Sequence, residues 1–299
     1  VASVLPSPVG RSVAETAAVL AGRVPAGFGR LGAVTRKRAM VERHMRRDYG
    51  PALGGRALNR RVDETLASYA RYWAESLRLP SLEPDQIRAG MTYQGLEHIT
   101  AGEAAGRGTI LAVAHLGGWE WAGSELAISG HDTSVVVEAL DPPDLFEWFV
   151  AFRARLGMEV IPTGPAAAAA CSRALAANHL LCLLCDRLVG GATGVEVEFF
   201  GERTLLPAGP VTLALRSGAP LLPCAVYFRP RSGQHLAVIR PPVPLSRQGR
   251  LRADVQAGTQ ILAAELETLI RRAPTQWHLL QPNWPSDPGG SSLPTPAPK

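Results

Sequence analysis

Nowhere in this chain does an uncharged apolar run approach the roughly 20 residues that a helical membrane span requires, so no span is expected. Cysteine is scarce too. Four cysteines in 299 residues, with no secretory signal peptide in front of them, lead to the expectation of a reducing compartment. Cys182-Leu-Leu-Cys185 has C-x-x-C spacing, but it lies in an apolar strand that points its two thiols to opposite faces. No second Cys or His pair follows at zinc spacing, so the cysteines are expected to be buried small hydrophobes and no metal site is expected. The chain also has no G-x-S-x-G, no P-loop and no G-x-G-x-x-G. Serine-hydrolase, nucleotide-hydrolysing and dinucleotide-binding readings therefore lack their fingerprints.

Hydrophobic residues make up 46% of the sequence and charged ones only 19%, the balance of a globular chain with a full core. The charge is uneven. Residues 1–80 hold 14 Lys+Arg against 6 Asp+Glu, a net of +8, and the remainder is slightly acidic. Val13, Ala17, Leu20 and Val24 recur at helical spacing, and residues 35–47 carry Arg36, Lys37, Arg38, Arg43, Arg46 and Arg47 among Val41 and Met45. A basic amphipathic segment without a span reads as a contact with an anionic membrane surface. The alternatives are a solvated helix face and nucleic acid. Nucleic acid is set aside, because the chain has no reading motif and no aromatic stacking platform. These observations divide the chain into residues 1–57, basic amphipathic helices; 58–284, the main domain; and 285–299, a Pro/Ser/Gly-rich disordered tail. Removing residues 1–47 is expected to spare the fold, because the stripe Leu58, Val62, Leu66, Tyr69, Trp73, Leu77 opens the packed core.

Beyond that stripe, strands alternate with helices. Strands are expected at 109–114, 133–137, 158–162, 180–185, 221–228 and 236–240, with helices between, including 96–105, 142–156, 207–216 and 251–272. The class is α/β, a mostly parallel central sheet flanked by helices on both faces. In such sheets, ligands bind beyond the carboxyl ends of the strands. At that end of the strand 109–114 stand His115-Leu-Gly-Gly-Trp-Glu120. The glycines permit a tight turn, and Trp119-Glu120 starts a helix. An imidazole there can take a proton from an attacking alcohol, and a carboxylate on its far nitrogen would fix the tautomer. His-x4-Glu spacing alone is weak evidence in a chain with seven His and 26 Asp+Glu, and His98–Glu103 repeats it. That second pair falls within one helix, its side chains about 140° apart, and is read as a decoy. Glu138 ends the next strand and is either a strand-end charge or a contact to substrate.

His115-Leu-Gly-Gly-Trp-Glu120 resembles the His-x-Gly-x-Trp-Asp/Glu block of the bacterial lipid A acyltransferase superfamily, and more closely that of actinobacterial phosphatidylinositol mannoside acyltransferases. Phe152-Arg-Ala-Arg-Leu-Gly157 resembles a second block, whose arginine, aligned with Arg153, is implicated in binding the phosphorylated substrate. Asp186-Arg187 with Gly194-Val-Glu196-Val-Glu198-Phe-Phe-Gly201 resembles a third; the individual roles of Asp186, Arg187, Glu196 and Glu198, ion pair or substrate contact, stay open. The run from Pro207 to Pro223 resembles a fourth, and Trp277-His278-Leu-Leu-Gln-Pro-Asn-Trp284 the terminal motif, where His278 either packs or meets substrate. The resemblance implies an acyl-CoA-dependent O-acyltransferase with no cofactor, peripheral at the cytoplasmic face of the membrane. Palmitoyl-CoA is the implied donor, and the 6-hydroxyl of a phosphatidylinositol mannoside's mannose the acceptor. His115 is expected to act as base, Glu120 to orient it, and the oxyanion donors to be backbone NH groups or an arginine. Another glycolipid or lysophospholipid acceptor, or an inactive membrane-binding homologue, is the alternative.

Overall fold

The computed structural model describes residues 7–23, 29–138, 143–190, 192–229, 233–290 and 293. Three helices come first: α1 (Ser7–Ala21), α2 (Gly29–Tyr49) and α3 (Gly55–Arg78). α4 (Pro84–Ala89) leads into β1 (Met91–Gln94), and α5 (Leu96–Ala104) into β2 (Thr109–Val113). The pattern then repeats as α6 (Trp119–Ile128), β3 (Thr133–Val137), α7 (Pro143–Arg155), β4 (Glu159–Pro162), α8 (Ala167–Ala176) and β5 (Leu180–Leu184). A hairpin of β6 (Gly194–Phe199) and β7 (Glu202–Pro207) precedes α9 (Gly209–Ser217), β8 (Leu221–Phe228), β9 (His235–Ile239) and α10 (Leu251–Arg271).

Seven strands form one sheet in the order β1-β9-β8-β2-β5-β3-β4, parallel throughout except for the antiparallel β8–β9 pair. Each central strand is apolar on both faces, as a strand covered on both sides must be. The two-residue period sorts its side chains. Ile110, Ala112 and Ala114 of the β2 segment join the core beneath α8, α9 and α10, whereas Leu111 faces the cluster that contains Ile99 of α5 and Leu126 of α6. Cys182 and Cys185 divide between these two clusters, so the C-x-x-C is two separate thiols, Cys185 buried and Cys182 half-buried.

The N-terminal region differs from the expectation. α2 is part of the packed body: Val41 and Met45 are buried in one cluster with Leu58, Val62, Leu66 and Leu280. Part of its basic charge is committed to the protein itself. Arg38 pairs with Asp63, and Arg47 with Glu202 and Asp287. His44 packs against the rings of Trp277 and Trp284, its Nε2 donating to the Gln281 carbonyl at 3.1 Å. α2 turns Val41 and Met45 into the core, while Arg38 and Arg47 reach carboxylates that flank it. Removing residues 1–47 would therefore open the core. Residues 285–290 are also not a free tail. Asp287 is buried, accepting from Arg47 and from the amides of Asn283 and Trp284. Val24 and residues 294–299 lie outside the described residues.

Other differences are local. β1 was not expected; it is a short edge strand with a single buried residue, Met91. Pro207 ends β7 and does not start α9, and 194–207 is a hairpin.

Candidate active site

β2 delivers His115 to the carboxyl end of the sheet. Leu111 and Val113 point to the α6 side, and two residues further His115 continues that series. β5 is the parallel neighbour of β2, with Val113 level with Leu184. Two residues past that pair stand His115 and Asp186, at the same height and on the same face. His115 Nδ1 lies 2.6 Å from Asp186 Oδ1, and the His115 amide donates to Oδ2 at 3.1 Å. Trp277 Nε1 donates to Oδ2 at 2.7 Å. Asp186 is fully buried. Burial alone pushes its carboxyl up, but His115 and the Trp277 donor outweigh it and hold the group below the ordinary carboxylate range, ionised.

Glu120 is not the group that orients His115. It stands in the first turn of α6, buried, and takes a bidentate pair from Arg153 of α7: Nε to Oε1 at 2.8 Å and Nη2 to Oε2 at 2.7 Å. Burial works against the Arg153 charge, and the Glu120 carboxylate more than restores it, raising the guanidinium's pKa. The helix turn explains the reassignment: it carries Glu120 toward α7, while the sheet register brings Asp186 to the imidazole. The decoy reading of the other pair agrees with the geometry, since Glu103 bonds His131, Oε1 to Nδ1 at 2.6 Å.

Both glycines of the turn are demanded by their neighbours. Gly117 has φ +59°, and a Cβ there would stand 2.1 Å from the Val226 carbonyl oxygen. A Cβ on Gly118 would stand 2.4 Å from the His235 ring. The turn can therefore run against β8 and β9 only with glycine at both positions.

His115 sits at the rim of a cavity of about 250 Å³ between the sheet and α6. Its rim is polar: His115, Glu120, Glu138, Arg153, Arg187 and His278. Glu138 and Arg187 form an ion pair there. Its interior is apolar, lined by Leu111, Val113, Leu126, Val135, Cys182 and Ile239 among others. Burial pushes the Cys182 thiol up to about 12 and raises that of Cys224 as well, so neither is a ready nucleophile. Of the nine residues expected at the site, six line this cavity and a seventh, Asp186, stands buried behind His115. Glu196 and Glu198 do not. They lie on the β6–β7 hairpin on the face opposite Val197 and Phe199, which are buried; Glu196 pairs with Arg203 and Glu198 is exposed. Sequence reasoning missed Ser68, whose Oγ is 2.8 Å from His278 Nε2, and Trp277 as a donor to Asp186. Trp119 was read only as a helix start; it stacks on Tyr72 with centroids 3.9 Å apart and meets His115 edge-on.

Comparison with known proteins agrees with this architecture. The model of the bacterial lipid A biosynthesis acyltransferase family matches residues 18–286. A phosphatidylinositol mannoside acyltransferase of Mycolicibacterium smegmatis is 37% identical over 230 residues, covering 76% of this chain and 73% of its own. One of Mycobacterium tuberculosis is 38% identical over 230 residues, covering 75% and 70%.

Proposed function

This chain belongs to the bacterial lipid A biosynthesis acyltransferase family, and from that premise we propose that it transfers a fatty acyl chain from acyl-CoA to a mannose 6-hydroxyl of a phosphatidylinositol mannoside. The observation that carries the reading is an imidazole, oriented by a buried carboxylate, lining a largely apolar cavity.

That geometry supports the following reaction. Asp186 occupies Nδ1 of His115 and leaves Nε2 for the substrate. Nε2 takes the proton of the acceptor hydroxyl as its oxygen attacks the thioester carbon, and Asp186 stabilises the imidazolium that forms. The C–O bond forms, the C–S bond breaks, and the departing thiolate receives the proton from His115. The products are an ester and free CoA. No acyl-enzyme is needed, because the nucleophile belongs to the acceptor. The apolar interior suits the acyl chain, palmitoyl by family, with its thioester at the polar rim. Arg153 retains a guanidinium nitrogen beyond the two that Glu120 takes, and Arg187 adds a second cation; the phosphorylated substrate is assigned to these.

The acceptor is a lipid, so the enzyme acts as a peripheral protein at the cytoplasmic face of a membrane. Among the described residues no helix is long and apolar enough to cross one. α1 supplies the docking surface. It packs on α3, leaving Val13 57% and Leu20 59% exposed. Arg36 and Lys37 are exposed nearby on α2.

The test is transfer of labelled acyl chains from acyl-CoA to a panel of acceptors: phosphatidylinositol mannosides, other glycolipids and lysophospholipids. Incorporation into the mannose 6-position supports the reading. Preference for another acceptor replaces the substrate but keeps the chemistry, and no transfer by wild-type protein that fails equally with every acceptor points to an inactive homologue.

A further inference from the structure

A second imidazole faces the first across a two-stranded ribbon. Gly117 N donates to the Gln276 carbonyl at 2.9 Å, and His278 N to the His115 carbonyl at 2.7 Å, bracketing an antiparallel bridge between Leu116 and Trp277. In such a ribbon the residues that flank the bridge stand opposite each other, with Cβ atoms about 4.5–5.5 Å apart. Leu116 and Trp277 point into the core, and His115 and His278 together point into the cavity.

His278 is only 4% exposed. Its Nε2 meets Ser68 Oγ at 2.8 Å, but its Nδ1, though buried, has no hydrogen-bond partner among the described residues. A buried polar atom left unpaired costs about 1–3 kcal/mol. The fold bears that cost on a side chain that lines the site. The ring is held in one plane by Tyr69 and Trp119, each with its centroid 5.5 Å away.

We propose that His278 is a catalytic residue: with Ser68 donating to its Nε2, its Nδ1–H is the hydrogen-bond donor to the thioester carbonyl oxygen as that atom becomes an oxyanion. This rests on the acyl-transfer reading above. As the acceptor oxygen bonds to the carbonyl carbon, the carbonyl π pair moves onto oxygen and Nδ1–H stabilises it. When the C=O re-forms, the C–S pair leaves on sulfur, which takes its proton from His115. His278 neither gains nor loses a proton. It must stay neutral beside a His115 that becomes positive, and burial, with a further contribution from His115, lowers its pKa to about 3. In the tautomer with its hydrogen on Nδ1, His278 accepts at Nε2 from the Ser68 hydroxyl. A donor placed where negative charge develops is worth about 10²–10³ in rate.

The experiment measures kcat and KM for acyl-CoA and acceptor in wild type, His278→Leu, His278→Asn, His278→Gln and Ser68→Ala, with circular dichroism to verify folding. Asn carries an NH2 near the Nδ1 position; Gln carries one near Nε2, on the Ser68 side. His278→Leu should lose about 10²–10³ in kcat with KM for acyl-CoA little changed. His278→Asn should recover about tenfold or more of that loss and exceed His278→Gln, a comparison that holds even if the Leu variant does not fold. Ser68→Ala should fall between wild type and Leu. A folded Leu variant with wild-type kcat, a loss confined to KM of the acceptor, or Asn no better than Gln would overturn the donor role while leaving the acyl-transfer reading intact. Wild-type protein that transfers nothing from acyl-CoA would overturn both.

Discussion

The carboxylate of Asp186 reaches the His115 imidazole from 71 residues further along the chain, Oδ1 to Nδ1 at 2.6 Å, while Glu120, five residues from His115, holds Arg153. The two carboxylates should therefore separate in a kinetic test. Asp186→Asn keeps the shape but loses the charge that stabilises the imidazolium, and should lower kcat by about 10²–10⁴. His115→Ala should do at least as much without unfolding the protein. Glu120→Gln should lower kcat less. Equal losses in kcat for Glu120→Gln and Asp186→Asn would contradict the assignment.

The Glu120–Arg153 pair carries a stability prediction. Side-chain exposure is 5% for Glu120 and 13% for Arg153. Arg153→Met leaves a buried carboxylate without its partner and should cost about 3–5 kcal/mol. Removing both charges, as Glu120→Gln with Arg153→Met, should restore part of that loss, because an unpaired charge is costlier than none. Urea denaturation of the two single variants and the double variant gives the coupling. Strictly additive losses would mean that the pair is not energetically coupled.

The two assignments also indicate how much of the site could be read from the chain. Strand alternation was legible: Leu111-x-Val113-x-His115 and Leu180-x-Cys182-x-Leu184-x-Asp186 each mark one face of one strand, and both series end on a chemical residue. The class, the mostly parallel sheet and the position of His115 follow from that local pattern. What no local pattern contains is strand order. Only the adjacency of β2 and β5, with Val113 level with Leu184, puts the two series side by side. Without it, the nearest carboxylate in sequence, Glu120, was the natural partner. The same blindness hid α2: its arginines look like a solvated or lipid-facing stripe until Asp63, Glu202 and Asp287 arrive from elsewhere. Glu196 and Glu198 matched a block in order, yet the hairpin's alternation faces them away from the core.

Acid should weaken the clamp between α2 and the terminal motif. Burial lowers His44 from 6.5 to about 4 and His278 to about 3. Both folded-state values lie below the unfolded one, so the unfolded chain takes up these protons first. Their stabilising effect is complete above pH about 6.5 and is lost as pH falls from there toward 4 and 3. Each contributes a slope of up to about 1.4 kcal/mol per pH unit in that window. His44→Gln, which can still donate to the Gln281 carbonyl, should flatten the slope by one proton's share. Chemical denaturation between pH 4 and 7.5 measures it. An unchanged slope in His44→Gln would show that His44 titrates alike in folded and unfolded chains.

The proposed membrane contact and the fold make opposite demands on the N-terminal helices, and this separates two experiments. Val13 and Leu20 are exposed on α1, with Ala17 exposed between them on the same face, whereas Val41 and Met45 of α2 are buried. Val13→Asp with Leu20→Asp touches no packed surface and should leave thermal stability within about 0.5 kcal/mol of wild type. It should nevertheless weaken co-sedimentation with anionic vesicles at high salt, where apolar insertion is what remains of the binding. At low salt the exposed basic residues, each worth about 1 kcal/mol near an anionic surface, should still hold the variant. Removing residues 1–47, by contrast, exposes Leu58, Val62 and Leu66 and takes Arg47 from Asp287, so that truncated chain should unfold or aggregate rather than behave as a soluble catalytic core. Vesicle binding is measured across ionic strength for the double variant, and thermal unfolding for both proteins. If the double variant sediments like wild type in high salt, α1 is not the inserting surface; if the truncated chain melts cooperatively at the wild-type temperature, α2 is not the structural helix that its buried face requires.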